Sequence, residues 1–514
     1  MNRELPVHAW SNRQRRRISR IVRDTEAPTD ALPVIRVEDR TPSDYYDERL
    51  GEVLDLAGTV GALLMASGTA TIDTAGQIRR IVNAYGFPDC SVDVINTAIH
   101  ISVYRGPKLP PGSSMHIVPT RSTDFSRLAT IDRLVNRICT PASGWEVREE
   151  PADDGQDRTR TTGEQPIPPS SGPPISPAEA RAELDTIMSA PHPYRRWIAT
   201  LAWGALAFAT AGTLGGGPLA CVVAALSTMV IDRTNRRLNK LGLPFFFQYA
   251  VGGVIATAPA LAFFWLMPDR EIRLGSWTLQ FQPQVTIAAG LVVILAGLSL
   301  VSSIGDLISG APVTAAGRFF ELVMLTVATI AGVALSLHVS ARLGGPEFTI
   351  GSQAPPALSE ILIRVAFGAA TAAAFALACY AERSALTAAA IGGGAGVGAF
   401  LAAQGLGIGA VFSSFAAAVP IGLVGHLMER RQLAPPLVVS IAGIIPLMPG
   451  LALLHGVYGI IEDADGIGFN SVLTATAIAT ALASGVTLGE WLSKRLHRTG
   501  RMRPVRRSAT APGD

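Results

Sequence analysis

The sequence predicts an all-α polytopic membrane protein of about ten transmembrane helices, built as two inverted five-helix repeats and preceded by a small α+β cytoplasmic domain. Three observations predict it. Composition changes abruptly near residue 195, strongly basic segments recur only on alternate connections, and two sequence patterns return five helices later. The chain-wide averages (48% hydrophobic, 16% charged, mean hydropathy +0.33) hide the first of these, because they merge two unlike regions. Up to about Tyr194 the chain is polar and rich in Pro; from Trp197 to Trp491 it is almost unbroken Ala, Leu, Val, Ile, Gly and Phe. A soluble helix needs a polar face, and these runs have none.

Residues 1–44 mix charge and proline without periodicity and read as a disordered basic tail. No apolar run follows its arginines (Arg13, Arg15, Arg16, Arg17, Arg20, Arg23), so a signal peptide is not expected and the domain should stay in the cytoplasm. Residues 45–140 read as that domain. Leu50, Val53, Leu54, Ala57, Val60, Gly61, Leu64 and Met65 recur at helical spacing, and Ser67-Gly68 stops them. A second helix is expected from Asp73 to Ala84. Alternation through Val92, Val94, Ile99, Ile101 and Val103 predicts strands. A last helix, Phe125 to Ile138, carries Leu128, Ile131, Leu134, Val135 and Ile138 on one face. Residues 141–177, dense in Pro, Gly, Ser and Thr, read as a flexible linker. A juxtamembrane helix over 178–194 opens at Ser176-Pro177, N-cap and N1, and stops at Pro191-His192-Pro193.

Spans of roughly 20 apolar residues follow at 195–213, 214–231, 245–267, 284–304 and 313–340 in a first module (195–340). The second module (355–493) holds 357–381, 385–402, 406–427, 435–461 and 468–492, before a basic tail, 494–514. Arg233, Arg236, Arg237 and Lys240 follow span two, Arg383 follows six, Arg430-Arg431 follow eight, and Lys494, Arg495 and Arg498 follow ten. The opposite connections are neutral or acidic, as at Glu462-Asp463-Ala464-Asp465. The positive-inside rule then puts both termini in the cytoplasm of a bacterial inner membrane.

The repeat has two parts. Ile294-Leu295-Ala296-Gly297-Leu298-Ser299-Leu300 resembles Leu447-Met448-Pro449-Gly450-Leu451-Ala452-Leu453, from 297 to 450 an offset of 153. Leu241-Gly242-Leu243-Pro244 with Gln248 resembles Leu406-Gly407-Ile408-Gly409 with Phe412, Ser413 and Ser414. Both pairs lie five spans apart, and five is odd, so the modules face opposite ways. Inverted modules are the architecture of alternating-access carriers, with helix breaks (here Gly297, Pro449 and Gly450) at the midplane.

The motifs of the chain, taken in order, resemble the threonine/serine exporter family. They are Leu63-Leu64-Met65-Ala66-Ser67-Gly68, Ala178-Glu179-Ala180, Leu184-Asp185-Thr186-Ile187, Pro193-Tyr194-Arg195-Arg196-Trp197, Gly215-Gly216-Gly217, Leu243-Pro244-Phe245-Phe246, Gly305-Asp306-Leu307-Ile308-Ser309-Gly310 with Arg318 and Glu321, and Pro446-Leu447-Met448-Pro449-Gly450. The resemblance spans residues 45 to 492 and implies a ten-helix exporter of threonine and serine driven by the proton motive force. It leaves export of a small dicarboxylate such as succinate as the alternative. Two departures stand out: the linker 141–177 is longer and richer in Pro than the family pattern, and Ala296-Gly297 stands where the second module has Pro449-Gly450.

An ionisable group inside an apolar span carries a penalty of about 2.5–3.5 kcal/mol even on the lenient insertion scale, so it faces a cavity or a partner. Asp306, Glu321 and His455 are therefore the proton-coupling candidates, and Arg318 suits a substrate carboxylate. Arg318 and Glu321, three apart, can pair along one helix. Gln248, Ser413 and Ser414 are the other substrate-binding candidates. The expected partners are a small amino acid, protons and the lipid bilayer, with a homo-oligomer compatible and no nucleic acid. No cofactor, metal or catalytic residue is expected. The four cysteines lack ligand spacing, and no hydrolase, zinc-protease or Walker motif occurs. Asp463 and Asp465 are the lone hint of a membrane-embedded enzyme, on a loop of a few residues. Gly392-Gly393-Gly394-Ala395-Gly396 lies in an apolar span and reads as a helix-packing surface, not a phosphate loop.

Overall fold

The computed structural model describes residues 42–95, 97–107, 109–118, 124–139, 175–266, 271–274, 277–281, 283–294, 297–342, 358–431, 433–448 and 467–500. The tail 1–41, most of the linker, Pro449, Gly450, His455, the acidic pair Asp463 and Asp465, and the C-terminal tail from 501 lie outside them. The chain divides into two units, Met1–Leu50 and Gly51–Asp514. Of the first, only the opening turns of helix α1 (Pro42–Ala66) are described.

In the second unit α1 continues into a small α+β region: α2 (Thr71–Ala84), strands β1 (Cys90–Ile95), β2 (Ala98–Val103) and β3 (Gly112–Ile117), then α3 (Phe125–Cys139). The strands form an antiparallel meander with Val92 opposite Ile101 and Val94 opposite Ile99. Ile99 and Ile101 are fully buried beneath the helices. A Cβ on Gly61 of α1 would stand 2.5 Å from Ile78 of α2 and 3.2 Å from Ile99 of β2, so glycine there lets three elements close on one point. Helix α4 (Pro177–Ser189) opens with a full capping box: Ser176 Oγ accepts from the Glu179 N–H, and Glu179 accepts from the Ser176 N–H. Its Arg181 pairs with Asp55 of α1, and Arg137 of α3 pairs with Glu183.

The apolar region follows as α5 (Arg196–Thr213), α6 (Pro218–Lys240), α7 (Phe245–Leu266), a hairpin of β4 (Glu271–Leu274) and β5 (Trp277–Gln280), α8 (Pro283–Ile294), α9 (Gly297–Ile308) and α10 (Pro312–Arg342). Then come α11 (Leu358–Ala378), α12 (Arg383–Gly405), α13 (Ala410–Arg430), α14 (Pro436–Ile444) with a 3₁₀ turn to Leu447, and α15 (Ile467–Gly500). Six of these, α7, α10, α11, α12, α13 and α15, are each long and apolar enough to cross a membrane among the described residues. The expected fourth span is two twelve-residue helices, α8 and α9, each about 18 Å long and too short to cross about 30 Å of hydrocarbon alone. Large apolar side chains on the six helices point outward, as Phe320, Leu362, Phe412 and Phe469 do, where a soluble helix would be polar.

One pairing scheme runs through both halves of this region. In the first, α5 packs on α6, α6 on α7, α7 on α10, and α8 touches α5, α6 and α7. In the second, α11 packs on α12, α12 on α13, α13 on α15, and α14 touches α11, α12 and α13. The tightest crossings correspond. A Cβ on Gly332 of α10 would stand 1.9 Å from the Ala250 carbonyl oxygen of α7, and one on Gly489 of α15 would stand 2.3 Å from that of Val419 on α13. Between the halves, α5 packs on α11, and α9 packs on α15 through a core containing Val301, Leu322, Ile421 and Leu482.

The turns correspond atom by atom. Leu241-Gly242-Leu243 closes α6, with Gly242 at φ +73° and the Leu243 N–H on the Leu238 carbonyl. Leu406-Gly407-Ile408 closes α12, with Gly407 at φ +78° and the Ile408 N–H on the Ala403 carbonyl. From 241 to 406 the offset is 165. The same offset relates the turns after α5 and α11. The Gly215 and Gly216 N–H groups reach the Gly212 and Ala211 carbonyls, as those of Tyr380 and Ala381 reach Leu377 and Ala376. Here the left-handed position is Gly215 (φ +81°) in one half and Tyr380 (φ 61°) in the other.

Candidate functional site

Helix α9 ends in a turn in which the Ala311 N–H bonds the Asp306 carbonyl and Gly310 adopts φ +87°; Pro312 then opens α10 at its first position. This places Asp306 on the last turn of α9, where the negative end of the helix dipole opposes a carboxylate. Asp306 is fully buried. Two groups compensate it. Arg318 Nη1, two turns into α10 and itself buried, pairs with Asp306 Oδ2 at 2.5 Å. The Thr71 N–H, at the first position of α2, donates to Asp306 Oδ1 at 3.0 Å. The residue at the N-cap of α2, Ala70, has no side-chain oxygen to offer. Asp306 supplies that missing oxygen from 235 residues away, with the positive end of α2 aimed at it.

The turn that delivers Thr71 is built locally. Gly68 at φ +94° lets the Thr69 N–H fold back to the Leu64 carbonyl and closes α1. The Thr69 carbonyl then faces Arg318 Nη2 at 3.5 Å, a weak contact. Thr314 Oγ1 reaches the Val94 carbonyl of β1 nearby. Arg318 thus bridges to the end of α9 and to the α+β region; Glu321, three residues on along the same helix, is exposed.

A second contact repeats this logic. The first N–H of α3, on Phe125, donates to the Cys379 carbonyl at the end of α11, at 2.9 Å. Asp124 caps α3 through Oδ1 and holds His192 Nδ1 with Oδ2 at 2.8 Å; His192 stacks on Tyr380 at 4.4 Å. Arg133 pairs with Glu382 alongside. On the same helix Asp132 is half-buried, and burial, reinforced by the charge of Glu429, pushes its carboxyl above the usual range. The connections after α9 and α11 therefore both meet the α+β region, so they share one face.

Gln248, Ser413 and Ser414 each bond backbone close to themselves in sequence. Gln248 Nε2 donates to the Leu243 carbonyl at 2.7 Å, and Ser413 Oγ to the Ile408 carbonyl at 3.0 Å, each closing the turn before its own helix. Ser414 Oγ bonds the Ala410 carbonyl. Each bond is to backbone within five residues, and the Gln248 amide keeps a second N–H. Gly297 is the first residue of α9, whereas Pro449, Gly450 and His455 lie outside the described residues. Sequence reasoning missed Thr69, Thr71 and the His192–Tyr380 stack; the one available signal was the Ser67-Gly68 stop before an N-cap without an oxygen.

Two family models match the chain. One, described as "Putative threonine/serine exporter", covers residues 55–149 and 171–340; the other, "Threonine/Serine exporter, ThrE", covers 364–492. The chain belongs to the threonine/serine exporter family. It is therefore a transporter-family protein and not an enzyme. Among curated members of that family it is 37% identical to the "Threonine/serine exporter" of Corynebacterium glutamicum over 467 residues, 90% of this chain and 87% of that relative. It is 32% identical to a "Probable threonine/serine exporter" of Mycobacterium tuberculosis over 491 residues, 94% of this chain and 84% of the relative. No solved structure matches it. The first exporter model ends at 340 and the second begins at 364, so the boundary between them falls between α10 and α11, where the pairing scheme starts again.

Proposed function

We propose that this protein exports threonine and serine from the cytoplasm across the plasma membrane by proton antiport, between two inverted five-helix modules with both termini cytoplasmic. The buried Asp306–Arg318 pair carries the reading. The ten-span reading counts α8 with α9 as one crossing and takes the apolar sequence 435–461, which α14 opens, as another. The turns that correspond at an offset of 165 lie five spans apart, which supports opposite orientations for the modules.

The pair supplies a coupling rule. A zwitterionic amino acid needs an acceptor for its ammonium and a donor for its carboxylate; Asp306 and Arg318 are one of each. A proton on Asp306 removes the acceptor, so proton and ammonium exclude one another at that carboxylate. Arg318 keeps its charge throughout, because guanidinium does not deprotonate in proteins. Loading amino acid from inside and a proton from outside then gives exchange. Glu321 on α10 is a further proton-group candidate, and His455 remains one by its residue type. Gln248, Ser413 and Ser414 are better read as helix-start locks than as substrate contacts.

The test is efflux of threonine and serine from dipeptide-loaded cells, with and without a protonophore. Export above cells lacking the protein, collapsing with the protonophore and abolished by Asp306→Asn at equal membrane expression, is the expected result. Export unchanged by the protonophore sinks the antiport; no export at all moves the cargo to a small dicarboxylate.

A further inference from the structure

The groups that meet Asp306 and Arg318 from the α+β region have the polarity of the proposed cargo. The Thr71 N–H donates to the carboxylate, as an ammonium would, and the Thr69 carbonyl faces the guanidinium, as a carboxylate would. We propose that the Ser67–Thr71 turn is a built-in stand-in for the amino-acid zwitterion, which closes the cytoplasmic approach to Asp306 and Arg318 until free serine or threonine displaces it. The inference rests on the transport reading of that pair.

Two further features support displacement over permanent docking. The Thr69 and Thr71 hydroxyls are both more than nine-tenths buried at this contact, and neither Oγ1 has a hydrogen-bond partner among the described residues. Each is desolvated without compensation, which weakens the docked state against one in which the turn withdraws to water. The turn is also its own unit: Gly68 and the Thr69 N–H to Leu64 carbonyl bond hold its shape from within α1, so it can leave Asp306 without unfolding. When it leaves, Asp306 and Arg318 each lose one polar partner, and a zwitterion restores both at once.

Thr71→Pro tests this cleanly. It deletes the backbone N–H that reaches Asp306, at a first helical position where proline is favoured, after Ala70 at ψ 147°, a conformation proline accepts. Efflux at sub-saturating internal threonine is expected to rise about tenfold, the factor that corresponds to one hydrogen bond to a charged group. Thr71→Ala keeps the N–H and removes the unpartnered hydroxyl, so docking should strengthen and efflux should fall by about fivefold or more on the same scale. In inside-out vesicles, a thiol reagent should label Thr69→Cys above the wild-type background, and faster when serine is added. Unchanged or reduced efflux in Thr71→Pro at equal expression, or labelling that serine slows or leaves alone, overturns the proposal. If Asp306→Asn abolishes efflux while Thr71→Pro does nothing, the stand-in falls and the transport site stands. If Asp306→Asn keeps protonophore-sensitive efflux, both fall.

Discussion

Replacing Asp306 and Arg318 singly and together measures whether the buried pair is an energetic unit. The two side chains are 0% and 4% exposed and meet at 2.5 Å. Removing one partner of such a pair typically destabilises by about 3–5 kcal/mol, because the other charge stays buried without its counterion. The two single variants should differ. Arg318→Met leaves a carboxyl that can take up a proton and still accepts the Thr71 N–H; Asp306→Asn leaves a guanidinium that stays charged. Asp306→Asn should therefore be the more damaging, and Asp306→Asn with Arg318→Met should be less damaged than Asp306→Asn alone, since no charge is then stranded. Thermal unfolding of purified protein in detergent, followed by tryptophan fluorescence, gives the four midpoints. A coupling of at least about 2 kcal/mol between the sites is expected, well above the 0.3–0.5 kcal/mol scatter of independent sites. Simple additivity would refute the idea that the charges stabilise one another, and with it the coupling rule built on them.

Gly332→Ala drives a Cβ to within 1.9 Å of the Ala250 carbonyl and should lower stability by about 1–3 kcal/mol or more. Gly398→Ala, whose nearest neighbour is Val365 Cγ2 at 3.7 Å, should be neutral or gain up to about 1 kcal/mol in the same detergent melt. Asp132 has a folded-state carboxyl raised above its ordinary 3.8, first by burial and then by Glu429, so its contribution is present at pH below that value and lost as pH rises through the raised one. Asp132→Asn should accordingly raise the melting midpoint at neutral pH and leave it unchanged near pH 3.5, read by the same fluorescence scan. His192→Ala removes the stack on Tyr380 and leaves its left-handed backbone unsupported. Alkylation of the buried Cys379, which adjoins the Phe125 contact, should then be several-fold faster than in wild type, by mass spectrometry of the intact protein.

Six of the expected spans were legible because an apolar run of some 20 residues has few other uses. The helices of the α+β region were legible because Leu128, Ile131, Leu134 and Ile138 hold a helical spacing. Strand β3 was missed: Gly112-Ser113-Ser114-Met115-His116-Ile117 has one β-branched residue, and its side chains never become fully buried. The repeat was half legible. Leu241-Gly242 and Leu406-Gly407 share letters as well as geometry, whereas Gly215-Gly216-Gly217 and Tyr380-Ala381-Glu382 share geometry alone. The partners of Asp306 were not legible. Arg318 stands near Glu321 in sequence, whereas Thr71 is brought to Asp306 only by the packing of a separate region onto the helix ends. A backbone N–H carries no side-chain signature, so the group that meets the carboxylate has no letter to be read.

One departure from matched turns lies where the α+β region docks. A left-handed residue disfavours any side chain with a Cβ, and Gly215 is the unstrained choice. Tyr380 takes that position on the side where the α+β region docks, and its ring is held by His192, which Asp124 fixes while capping α3. On that side helix ends of the membrane region meet helix starts of the α+β region twice, α11 with α3 and α9 with α2, so opposed dipole ends face each other at both points. The two halves share one pairing scheme and, at these turns, one hydrogen-bond geometry. The docked region breaks that equivalence on one face only, and it does so at the helix end that carries the buried carboxylate. In this chain the docked region reaches Asp306 itself.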